Sequence, residues 1–112
     1  MVEVEIVRRN GRIVSFSLRG HADAGPHGHD LVCAAVSALS IGAENAVGEL
    51  CGVQLECDAG EGGGYLHCAV PDGLDRRTDE KVQLLLEGMV VSIKSIERQY
   101  GAYIRLNHRG GE

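Results

Sequence analysis

Val2, Val4 and Ile6 alternate with Glu3 and Glu5, and Val14, Phe16 and Leu18 alternate with Ser15 and Ser17, on either side of Asn10-Gly11. Period-two alternation marks a strand with one buried face, and Asn-Gly accepts the positive φ angles of a two-residue hairpin turn. The first twenty residues therefore form an antiparallel hairpin with one apolar side, and whatever follows must cover that side.

The period then changes. From Asp30 to about Cys51 the apolar positions Val32, Val36, Leu39, Ala43, Ala46 or Val47, and Leu50 recur at helical steps, with Asp30 as N-cap and Gly52 as the stop. Its many alanines, with Gly42 and Gly48, make this a thin helix that packs closely on a sheet or on a second helix. Val53, Leu55 and Cys57, then Leu66, Cys68 and Val70, form a second hairpin around the turn region GEGGG, which places Cys57 and Cys68 in the core. A second helix begins at Thr78, carries Val82, Leu85, Leu86, Met89, Ile93, Ile96 and Tyr100 on one stripe, and is closed by Gly101. YIRLN is a last strand. The order ββαββαβ describes an α+β fold of antiparallel hairpins with both helices on one side of the sheet.

A chain of 112 residues forms one domain, residues 1–112. With no tryptophan and one phenylalanine its core is aliphatic. A net charge of -5 argues against direct grip on nucleic acid and favours a basic partner. The charged, alternating start is neither a secretory leader nor a transit peptide, and no apolar run approaches membrane-spanning length, so the expectation is a cytoplasmic protein with no membrane partner. Cys33, Cys51, Cys57 and Cys68 show no C-x-x-C spacing; in that compartment they stay reduced, without a disulfide framework.

The chemistry is concentrated in HADAGPHGHDLVC, His21 to Cys33. With Asp30 as cap, Cys33 is the third helical residue, where unpaired amides and the positive end of the helix dipole favour thiolate. His21, at the end of the second strand, is the histidine best placed to meet it, and a Cys/His pair supplies a nucleophile and a proton carrier. Asp30 or Ser37, one turn beyond Cys33, can orient one of them. The helix-start amides can act as an oxyanion hole, and Gly25 and Gly28 let the loop after Gly20 open and close over a peptide. Each part also has a plainer role: Cys33 as a small buried hydrophobe, His21 bonding to backbone, Asp23 in a turn, Asp30 only as a cap, Ser37 bonding back to a carbonyl. A zinc ion on His27, His29 and Asp30 or Cys33 ranks lower, because those ligands would have to order a glycine-rich loop themselves. No cofactor and no metal is expected.

GHADAGPHGHDLVCAAVSAL, Gly20 to Leu39, closely resembles the signature of the bacterial ribosomal-processing cysteine protease family, Prp, whose pattern runs G-H-A, a glycine-containing loop, then D-[IL]-V-C-A-A-x-S-A-L. The similarity extends over essentially the whole chain. It implies a cysteine endopeptidase that removes the N-terminal extension of the large-subunit ribosomal protein L-twenty-seven, with His21 and Cys33 catalytic and Asp30 and Ser37 supporting. It also implies a homodimer and a movable loop over the site, here about Ala22 to His29. An acidic enzyme suits a basic ribosomal precursor. The competing reading is a non-catalytic, ribosome-associated module that holds a basic peptide.

Overall fold

The structure, a computed structural model, describes residues 1–20, 27–60 and 64–110, and of residues 27–30 the backbone alone. β1 (Val2–Arg9) and β2 (Arg12–Arg19) are joined through Asn10 and Gly11, both at positive φ as a tight hairpin requires. α1 (His27–Cys51), β3 (Glu56–Asp58), β4 (Tyr65–Ala69), α2 (Arg76–Tyr100) and β5 (Ile104–Gly110) follow. The sheet order is β3-β4-β2-β1-β5, antiparallel throughout except that β5 runs parallel to β1. That order places the first hairpin at the centre. Both helices cover the face carrying Val4, Ile6, Phe16 and Leu18, where α1 and α2 lie side by side. The other face presents residues such as Glu3, Ser17 and Arg105.

The first hairpin differs from strict alternation at one place. Val7 pairs with Ser15 and Arg8 with Ile13, so Val14 is an extra residue and the strand carries a bulge. Ile13 is thereby fully buried, whereas Val14, expected inside, is half-exposed. α2 recognises this irregularity with a polar row one turn apart, Asp79, Gln83 and Glu87. The Gln83 side chain donates to the Ile13 carbonyl at 2.8 Å and accepts from the Ile13 amide at 2.7 Å. Arg12 makes a two-pronged pair with Asp79 at 2.6 and 3.0 Å, and Arg8 makes another with Glu87. Apolar contact holds the helix down, and this row fixes where along the sheet it sits.

Several boundaries move. α1 starts at His27 rather than being capped by Asp30, so His27, Gly28 and His29 belong to the helix and not to a loop. In the sequence Pro26, which has no amide hydrogen to leave unpaired, directly precedes it. α2 starts at Arg76, two residues before Thr78, behind Asp75 as N-cap. β3 is only Glu56–Asp58; Val53 and Leu55 precede it, though both are buried. As a short edge strand β3 escapes the helical cover, and Cys57 is exposed rather than in the core, while Cys68 is buried.

Two further expectations are corrected. Cys57 and Cys68 face each other in the β3–β4 ladder and are joined by a disulfide, with Cα atoms 4.1 Å apart. Strand register, not sequence spacing, brings them together. Leu31–Cys51 is, by length and composition, apolar enough to cross a membrane. One side of it, Val32, Val36 and Val47, packs into the interior, while Leu31, Ile41 and Leu50 are exposed.

The guanidinium groups of Arg12 and Arg8 hold the carboxyls of Asp79 and Glu87 below their ordinary values of 3.8 and 4.5, chiefly by hydrogen bonding. A carboxyl with a depressed native pKa contributes stability that is complete above its unfolded value and is lost as pH falls through the native one. Urea midpoints should therefore be level from pH 7 to about 5 and decline below about 4.5. The decline should be shallower in a D79N/E87Q double variant. Because both pairs are partly exposed, the difference should shrink at high salt.

Candidate active site

α1 runs beside the end of the central strands, and the space between them is a cleft of about 440 Å³. Its walls are mostly apolar: Val2 and Leu18 from the first hairpin, Tyr65 and Leu66 from β4, Val36 and Ile41 from the helix. Cys33 and Ser37 both line it, one turn apart on α1, with Cys33 half-buried and Ser37 exposed. Both thus sit on the cleft-facing side of the helix, as helical spacing predicts. Cys33 is outside the disulfide.

The rim is made by two backbones in close approach. The Gly20 amide donates to the Gly64 carbonyl at 2.9 Å. Gly64 has φ +75, and a Cβ on it would lie 2.5 Å from the Gly20 carbonyl oxygen. Only glycine fits there. Gly20, expected to open the substrate loop, therefore lines the cleft itself. His21 and Gly25 lie outside the described residues, as do the side chains of His27, His29 and Asp30 and hence the alternative zinc set.

The start of α1 changes the electrostatics. With His27 first, Cys33 is the seventh helical residue, and the dipole's influence falls off within the first turn. Cys33 lies well beyond the unpaired amides. The expected activation by the helix start and the oxyanion hole built from its amides do not apply to a thiol at this depth.

Glu44, Tyr65 and Leu66 also line the cleft and were not singled out from sequence. Glu44 could have been: it lies about three turns beyond Cys33 and so on the same side of the helix. Its carboxylate and the sulfurs of Cys57 and Cys68 lie within 4.8 Å of one another, but with the two sulfurs bonded together this is no three-ligand metal site.

The whole arrangement has counterparts. The family model described as cysteine protease Prp matches residues 1–105. The chain belongs to the Prp family of cysteine proteases. The ribosomal processing cysteine protease Prp of Bacillus subtilis is 45% identical over 107 residues, covering 95% of this chain and 96% of that protein. The crystal structure of the essential ribosomal processing protease Prp from Staphylococcus aureus with a substrate peptide superposes with a TM-score of 0.87 at 34% identity, covering 97% of this chain and all of that one. A second structure of that protease, with a covalently linked product peptide, gives a TM-score of 0.82 at 34% identity over the same share of this chain. The fold built above is thus a Prp fold, with five strands and two helices among the described residues.

Gly64→Ala should destabilise the protein by about 1–3 kcal/mol through positive-φ strain and the contact with Gly20, and should raise KM for any peptide bound in the cleft. Thermal unfolding beside steady-state kinetics checks both; a variant matching wild type in the two would separate the rim from the cleft.

Proposed function

We propose that this protein is the endopeptidase that removes the N-terminal extension of ribosomal protein L-twenty-seven, working in the cytoplasm as a homodimer, with Cys33 as nucleophile and His21 as proton carrier. One observation carries the reading: a half-buried thiol lines a mostly apolar, peptide-sized cleft, in a fold whose relative holds a covalently linked product peptide.

The Cys33 thiolate attacks the scissile carbonyl carbon, and the oxyanion that forms collapses with loss of the amine, which takes its proton from His21. Water then hydrolyses the thioester and releases the new carboxylate. Because the thiol lies beyond the first turn of α1, its ionisation depends on His21 as an imidazolium partner rather than on the helix end. Ser37, on the cleft side one turn on, is a positioning residue for the bound backbone, and Asp30 orients His21. The net charge of -5 favours encounter with a basic ribosomal precursor. The alternative is a non-catalytic ribosome-associated peptide-binding module; it would use the same cleft with Cys33 as a packing residue.

For the homodimer, the outer side of α2 offers a surface. Leu84 and Val91, two turns apart, are 74% and 62% exposed, with Gly88 between them. A second copy can approach closely over such a row.

Incubating the extended ribosomal precursor with the protein should give one truncated product by intact mass, and Cys33→Ala should give none while keeping the folded circular dichroism spectrum. His21→Ala should lower kcat by about a hundredfold or more. Binding without cleavage by wild type would select the peptide-binding module instead. In sedimentation velocity the wild type should run as a dimer and an L84E/V91E variant as a monomer; a dimer that survives both charges uses another surface.

A further inference from the structure

Glu44 is out of character with its surroundings. The cleft walls are mostly apolar, and Glu44 contributes the one carboxylate among the described lining residues. The other charged lining residue, Arg19, is engaged on the aromatic face of Tyr65, 5.5 Å from its centroid. Glu44 is half-buried and has no ion pair or hydrogen bond to the described residues. A carboxylate with no partner among the described residues is available to a cation that enters the cleft. A cation arriving there would be poorly screened, because apolar walls keep solvent and salt away.

Position follows from helix geometry. Cys33 and Glu44 lie on the same side of α1, about 16 Å apart along its axis at 1.5 Å per residue. An extended peptide covers that distance in about five residues. Glu44 also borders a second hollow of about 420 Å³, lined by Gly48, Gly52, Val53 and Gln54 among others, so a chain reaching it has room to continue.

We propose that Glu44 is a specificity-determining residue, selecting substrates that carry a lysine or arginine about five residues from the scissile bond. This rests on reading the Cys33 cleft as the peptidase site. The distance does not fix which side of the bond the cation occupies, so the test scans both.

The probe is a set of fluorogenic peptides spanning the precursor's processing site, with Lys, Leu or Glu placed in turn at the third to seventh residue on each side of the bond. For wild type, kcat/KM with Lys should exceed that with Glu by at least about fivefold at one position, the fourth to sixth residue on one side. E44Q should bring this Lys-to-Glu ratio towards one, and E44K should invert it. Reading a ratio cancels any general loss of active protein. A wild-type ratio near one at every position, or a preference that E44Q leaves intact, overturns the role of Glu44 while leaving the peptidase reading in place. If wild type cleaves none of the peptides, both fall together.

Discussion

The seating of α2 on the first hairpin is the contact on which the rest of the structure depends. Ile6, Ile13 and Phe16 from the hairpin and Leu86 and Ile93 from the helix are fully buried in one cluster, and each such side chain contributes about 1.5–3 kcal/mol by leaving water. Apolar burial alone would let the helix slide. The row Asp79, Gln83 and Glu87 prevents this, because its partners are a backbone made irregular by a bulge and two arginines flanking it. With α2 held in one register, its neighbour α1 has one place left to lie, and β5 returns beside β1 with the Leu106 amide bonded to Glu97 at 2.7 Å.

The site is a by-product of that packing. α1 buries Val32, Val36 and Val47 inward, and the residues on the adjoining flank, Cys33, Ser37, Ile41 and Glu44, are left facing the end of the sheet. A single helix thus presents a thiol at one end of a cleft and a carboxylate at the other, with spacing set by helical rise. The early start of α1 buries the Cys33 amide within the helical ladder and takes away the helix-end activation that a shorter helix would have offered. In this fold the thiol sits too deep in its own helix for the helix end to act on it.

Much of this was legible from residue order. Alternation in Val2, Val4 and Ile6 and the Asn10-Gly11 turn gave the first hairpin; helical steps gave both helices; the spacing of Cys33 and Ser37 gave a shared face. These signals are local, since strand period, turn conformation and helical period depend on residues a few positions apart. The start of α1 is ambiguous for an equally local reason: Asp30 has the chemistry of a cap, and Pro26, four residues earlier, has that of a helix start.

What the amino-acid sequence determined by itself was the order of elements, the apolar face of each and the candidate nucleophile. Tertiary structure alone decided the bulge at Val14, the Cys57–Cys68 bond, the closeness of Gly20 to Gly64 and the place of Glu44 in the cleft. The bulge and the disulfide depend on strand register, and the Gly20–Gly64 approach and the place of Glu44 depend on how segments far apart in the chain pack, neither of which local periodicity encodes.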